Sequence, residues 1–431
     1  MSSRNLRWLY QELPVLVNKD IISQQNAERI KQYYGKTSEA GKKKTFLIVC
    51  SVLGALLIGL GIISLIAYNW EQLSRPLRAA LSLAPLAIGI VLTGWALVKE
   101  HATQGFREAT ATFLTLMVGA SISLISQTYN ISGELQSFIL IWMMLSVPLV
   151  YLVTVTVPAI IYVIGITSWA IGQIWNNTAL SFCYWPLIAV VVPHFIFIIR
   201  QESFAVRAKL LSSFLALSLA LFTSLLLVWL SPQLWMIYLS LLFASMYLVG
   251  THRFPAINRN WQEPFRSLGD LGVIVISLIL TYRWPWSRVN AWEARGVQIF
   301  GVQGGLLLVI IFAIVTLLLV IEAIKEKRFS NALIGSAPMV AVIGFSFPSA
   351  AMALYNVYFF IFGLDRILSG FRENKLRIVN EGLLLLALVI AVRFFDSEIS
   401  LVLKGLVLIM LGAGFLVTNM ILIRRKGGTN E

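Results

Sequence analysis

Few residues of this chain could do chemistry, and most of them stand at the ends of apolar blocks. Glu71 and Asp396 are carboxylates able to serve as acid or base. Gln127, Tyr129 and Asn130 put an amide, a phenol and a second amide into the stretch SISLISQTYNISGE (121–134), with no Lys or Arg beside them. Asn69, Trp70 and Arg75 flank Glu71, and Arg393 precedes Asp396. In lipid such groups must be hydrogen-bonded, and they often bind or move a substrate. The histidines His101, His194 and His252 are scattered, and Cys50 and Cys183 lie in apolar blocks, so neither a metal set nor a disulfide is expected. No phosphate-binding G-x-x-x-x-G-K-[ST], no H-E-x-x-H and no G-x-S-x-G elbow occurs. No catalytic set and no cofactor are expected.

The elements that must position these residues follow from composition. The 431 residues are 58% hydrophobic and 13% charged, beyond the apolar share of a soluble domain. The apolar residues fall in blocks of about 20, enough to cross a bilayer as helices. The class is an all-α polytopic membrane bundle. Spans are expected at 46–68, 77–98, 108–128, 135–153, 155–175, 180–199, 209–230, 234–250, 266–284, 303–323, 332–348, 349–365, 377–394 and 400–423, about 14 in all, or 12 to 13 if the runs 135–175 and 332–365 divide differently. The domains are a cytoplasmic amphipathic segment (1–44), a transmembrane domain (45–424) and a short tail (425–431).

The net charge of +14 is explained by topology rather than by nucleic acid. With both termini in the cytoplasm, all but seven of the 34 Lys and Arg lie inside. The seven are Arg75, Arg78, Arg283, Arg288, Arg295, Arg393 and Lys404. A bacterial inner membrane is the expected location. Ahead of the first span, Leu6, Leu9, Leu13 and Leu16 recur at helical spacing. Ser23 is placed to cap a second helix carrying Ala27, Ile30 and Tyr34. This helical hairpin should pack on itself and on the membrane domain or a partner. GKKK (41–44) stands where anionic lipid head groups could meet it. In the first span Ser51, Ala55 and Gly59 repeat every four residues, a spacing that brings helices close.

Two stretches carry a resemblance. LGALLIGLGIISLIAYNWEQLSRPLR (53–78) is a Gly-rich span ending in Asn-Trp. GASISLISQTYNISGELQSFILIWMMLSVPLV (119–150) contains Gln-x-Tyr-x-Ile. With the helical N-terminal segment, they resemble domain-of-unknown-function family 2157 of bacterial predicted multi-pass membrane proteins. RFFD (393–396) and the RRK end look similar to the same family. Where many relatives carry His, this chain has Asn130, which argues against a proton shuttle or metal there. The resemblance implies architecture and no established activity.

On this topology Asn69, Trp70, Glu71, Arg75, Gln127, Tyr129, Asn130, Arg393 and Asp396 all fall on the outer side. The sequence therefore predicts an outward-facing polar vestibule, closed by tryptophans of the loop RWPWSRVNAWEARG. Deeper groups (Asp270, Glu322, Asp365, Glu381, His194) have no evident partner at mid-depth, which argues against a proton pump. Asn356 is the best candidate for a buried polar contact. Three functional classes remain: a transporter or flippase, a partner-binding envelope scaffold, and a membrane enzyme acting on a lipid-linked substrate. The expected partners are membrane lipids and another membrane protein or a second copy.

Overall fold

Apolar runs that cannot hydrogen-bond to lipid satisfy their backbone by coiling into helices, and every regular element among the described residues is helical. The computed structural model describes residues 3–34, 70–99, 102, 104–200, 205–230, 232–252, 260–287 and 303–394, with six positions between 402 and 413. Two units can be distinguished, Met1–Leu81 and Ser82–Glu431.

In the first unit, α1 (Ser3–Asn18) and α2 (Gln24–Tyr34) pack on each other. Leu13 and Ala27 are their buried side chains. The Ser23 hydroxyl accepts from the Asn26 backbone N–H at 3.2 Å, so α2 starts where the cap signal placed it. A single 3-10 turn covers Trp70–Gln72. The small-residue repeat of the first span lies outside the described residues, as does most of 400–423.

The helix α3 (Arg75–Val98) leads into the second unit. There follow α4 (Gln104–Tyr129), α5 (Leu135–Leu152), α6 (Val157–Asn176), α7 (Thr178–Ser181), α8 (Tyr184–Ala189), α9 (Val192–Ile199), α10 (Ala205–Leu230), α11 (Trp235–Thr251), α12 (Gln262–Leu280), α13 (Trp284–Ser287), α14 (Gln303–Lys325), α15 (Phe329–Gly335), α16 (Ala337–Ser346), α17 (Pro348–Arg372) and α18 (Leu376–Phe394). Among the described residues nine helices are long and apolar enough to cross a membrane: α3 to α6, the run α7–α9, α10, α14, the run α15–α16, and α17. α11 is apolar but shorter. Of the spans expected, nine are matched by such helices among the described residues, and those expected at 46–68 and 400–423 lie wholly or mostly outside them; α12 and α18 carry charges among their apolar residues.

Two expected spans take a different form. The sixth is not one helix but α7, α8 and α9, with Pro186 inside α8 and Pro193 opening α9. Proline lacks the N–H and clashes with the preceding turn. The joints tighten to i→i−3 bonds, as from Val190 to Leu187 and from Val191 to Ile188. Carbonyls at the breaks gain tyrosine donors: Tyr162 donates to Leu187 at 3.0 Å and Tyr151 to Val190. The twelfth span runs on past 365 to Arg372, so Asp365 and Arg366 lie within α17 rather than at its end.

α11 and α12 cross at backbone distance. A Cβ on Gly269 would stand 2.3 Å from the Tyr247 backbone nitrogen, so only glycine fits. One core surrounds α6 and holds Tyr162, Tyr184 and Phe222. A second gathers Tyr247, Trp286, Tyr355 and Phe359. Lys209 at the start of α10 reaches Glu263 at the start of α12 at 2.5 Å, so these helices begin at the same end of the unit, here the basic end.

Candidate groove and helix-end site

The polar stretch that closes α4 is first a helix terminus. Asn130 has φ 51, the left-handed conformation that asparagine tolerates better than most side chains. The Ile131 N–H reaches back to the Ser126 carbonyl at 2.9 Å and the Asn130 N–H to the Gln127 carbonyl at 3.4 Å. This is the double bond of a Schellman cap. The Ser126 hydroxyl donates to the Ile131 carbonyl at 2.7 Å and locks the turn. Asn130 is accounted for by backbone geometry. Asn130→Leu is expected to cost about 1 kcal/mol in thermal unfolding, while Asn130→Gly leaves stability within a few tenths. Equal losses for both would show that the asparagine side chain matters beyond the cap.

Gln127 is exposed on the same helix end and looks into a groove of about 1230 Å³. The groove lies between α3, α4 and α5. Leu83, Leu86, Ile90, Leu114, Ile141 and Leu145 line its apolar length. Ser126, Gln127, Ser132, Glu134 and Ser137 form a polar rim at the α4–α5 turn. Glu134 is the one charged residue among those lining it. The walls are held by specific contacts: the Ser121 hydroxyl donates to the Ser82 carbonyl at 2.7 Å, and the Trp142 N–H to the Thr115 carbonyl at 2.7 Å.

The other expected vestibule residues are placed as follows. Tyr129 is exposed beside Gln127. Trp70 lies in the 3-10 turn and Arg75 opens α3, exposed. Arg393 is in the last turn of α18, which packs on α17, whereas α4 packs on α5 and α6. Asn69 and Asp396, and the side chains of Glu71 and Arg393, lie outside the described residues. In the tryptophan loop, Trp284 is exposed, but Trp286 is buried, donates to the Leu280 carbonyl at 2.9 Å and packs against Tyr355. It serves the core rather than a belt. Asn356 donates its amide to the Met352 carbonyl at 2.6 Å and the Thr281 carbonyl at 3.4 Å, as its depth suggested.

The charged groups expected near the span ends find partners at the basic end. Asp270 pairs with Arg366, whose guanidinium also lies 5.1 Å from the Phe362 ring centre. Asp365 beside it is buried, with the Arg372 guanidinium at 4.0 Å. Glu322 pairs with Arg328 at 3.1 Å and Glu381 with Arg377 at 3.0 Å. The Asp270–Arg366 pair forms because α17 stays helical through Arg366 and packs on α12, whereas the Glu322 and Glu381 pairs are local in sequence.

Glu108 escaped the sequence reading altogether. Its carboxylate accepts from the backbone N–H groups of Thr156 (2.9 and 3.0 Å) and Val157 (3.1 Å) and pairs with Arg207. It thus caps α6 from α4, at a helix N-terminus that favours negative charge. His194 is buried nearby, edge-on to the Tyr151 ring with centroids 6.1 Å apart. A lone Glu in the second turn of an apolar helix gives no local sign of such a role.

These features define a multi-helical membrane protein with a groove between helices. Residues 15–159, about a third of the chain, match the family model described as "Predicted membrane protein (DUF2157)". The match covers α3, α4 and α5, the helices that form the groove. No curated protein and no solved structure matches the chain.

Proposed function

We propose that this protein binds and moves an amphipathic, lipid-class molecule, as a transporter or flippase does, with its basic end in the cytoplasm of a bacterial inner membrane. The observation that carries this reading is the groove: an apolar length of chain-binding character ending in a hydroxyl, amide and carboxylate rim. Amphipaths need both surfaces in one site. Glu134, the single charge among the lining residues, favours an amine-bearing head over a purely anionic one. The broken span α7–α9 adds support, because discontinuous helices recur at the working centres of transporters.

The test is reconstitution in liposomes with head-labelled phosphatidylethanolamine or phosphatidylglycerol, following transfer between leaflets. The wild type is expected to accelerate transfer of the ethanolamine lipid. Leu145→Trp, which fills the groove from an exposed position, should reduce the rate at least tenfold. Gln127→Leu should reduce it several-fold, the worth of one or two polar contacts, with unfolding unchanged. Transfer no faster than in empty liposomes would defeat the transport reading. A preference for phosphatidylglycerol would overturn the assignment of the head.

The alternative of a partner-binding scaffold draws on the exposed strip Ile88, Val91, Trp95 and Val98 along α3. It predicts co-purification of a second membrane protein, lost when these positions are made alanine, with no lipid transfer.

A further inference from the structure

At the basic end, the close of α11, the start of α12 and the start of α15 enclose a pocket of about 370 Å³, within the range of about 300–1,000 Å³ typical of ligand sites. The arrangement is fixed by the backbone. A Cβ on Gly250 would stand 2.3 Å from the Arg266 backbone nitrogen, so glycine there lets α12 lie against the last turn of α11. The Gln262 amide, buried in the first turn of α12, donates to the His252 carbonyl at 2.6 Å and the Val249 carbonyl at 3.3 Å and closes that turn. Arg328, just ahead of α15, donates to the Thr251 carbonyl at 3.1 Å. Thr251, His252, Gln262, Arg266, Arg328 and Asn331 thereby line one space.

The carboxylates around this space are already engaged. Glu263, in the lining, pairs with Lys209 at 2.5 Å. Glu322 and Glu326 are held by the Arg328 guanidinium at 3.1 and 2.8 Å, and the His252 Nδ1 lies 2.9 Å from the second Glu322 oxygen. Asp270, one turn beyond Arg266, pairs with Arg366. Arg266 is left over. Its side chain is exposed, lines the pocket and forms no hydrogen bond or ion pair among the described residues. Asn331 spends its carbonyl oxygen, which accepts from the Tyr247 hydroxyl at 3.1 Å, and keeps its amide N–H groups for a ligand. Arg328 is held in place by its bonds to Thr251 and Glu322 and retains unspent N–H groups on its fork. A guanidinium without a carboxylate, beside a second one that is immobilised and a neutral amide donor, matches a phosphate group, whose oxygens accept from several donors at once.

We propose that this pocket is a phosphate-binding site, in which Arg266 supplies the neutralising charge and Arg328 and Asn331 supply oriented donors. Basic pockets between membrane helices are a recurring seat for phosphate head groups. Leu271 and Val275, exposed on the following turns of α12, offer an apolar surface to the chains of such a lipid. A soluble phosphate compound presents the same group, so the two sources are separated by experiment. The site is distinct from the groove: the polar rim stands at the end of α4, whereas Glu108 near the start of α4 pairs with Arg207 at this basic end. No bond is made or broken.

The experiment uses the full-length protein in detergent with two probes, phosphatidylglycerol and inorganic pyrophosphate. In the lipid arm, native mass spectrometry compares retention of phosphatidylglycerol with that of a diacylglycerol of the same chains, which lacks the phosphate. In the soluble arm, calorimetry follows pyrophosphate. The wild type is expected to bind at least one probe, with an affinity that falls about tenfold in Arg266→Gln, the worth of one charge-assisted hydrogen bond. Arg266→Lys restores the charge without the fork and should recover part of the loss. Arg200→Gln removes another exposed positive charge, just ahead of α10 at the same end, and should change nothing. A loss in the phosphatidylglycerol arm alone assigns a lipid head; a loss in the pyrophosphate arm alone assigns a soluble phosphate compound; a loss in both assigns the phosphate whatever carries it. Equal retention of phosphatidylglycerol and diacylglycerol by the wild type, with no pyrophosphate binding, would overturn the site, and that comparison needs no variant to fold. Equal losses in Arg266→Gln and Arg200→Gln would overturn it as well, because bulk charge alone would then explain the binding. Lipid transfer through the groove bears on neither arm.

Discussion

Replacing Glu108 with alanine is expected to lower stability by about 3 kcal/mol, the cost of taking one partner from a largely buried ion pair. The Arg207 guanidinium loses its carboxylate, and the N–H groups of Thr156 and Val157 lose their acceptor together. Those N–H groups open α6, whose residues Tyr162, Val163, Ile166 and Trp169 form the middle of the larger core. The loss should therefore appear as global unfolding at lower temperature in detergent, not as local fraying. Glu108→Gln retains one acceptor oxygen for the backbone and should cost less, about 1 to 2 kcal/mol. In the double variant Glu108→Ala with Arg207→Ala, the deficit should fall short of the sum of the single losses, because the orphaned guanidinium is gone. Additive losses would mean that the two side chains do not act as a pair.

Arg366→Leu carries the second large effect, about 4 kcal/mol. Arg366 is 8% exposed, and its removal leaves Asp270 without its cation, with Asp365 buried alongside. Replacing both partners, Asp270→Leu with Arg366→Leu, should restore most of the lost stability, since an apolar pair of similar size is often as stable as a buried ion pair. The readout is unfolding of both variants in the same detergent. A double variant no better than the single would show that this contact is not what joins α12 to α17.

The two expectations rest on different kinds of information. The α2 start at Ser23 was legible because a cap acts on its own next turn. The run of apolar helices was legible because lipid leaves the backbone no other choice. The Gln127–Asn130 signature was legible as a helix end, but its meaning was not. The left-handed Asn130 and the bonds back to Ser126 and Gln127 are local, yet the groove that Gln127 overlooks needs Leu83 of α3 and Leu145 of α5 as well.

By itself the sequence determined the class: a helical membrane protein, the places where many helices begin and end, and the gathering of basic residues at alternate ends. Those properties depend on composition and on neighbours within a turn or two. Only the tertiary structure decided that α17 continues to Arg372, that Arg366 finds Asp270 across 96 positions and Arg207 finds Glu108 across 99, and that the sixth span divides into α7, α8 and α9. A charge or a donor can be read from one residue, but its partner is set by how helices pack, and packing depends on the shapes of many side chains at once.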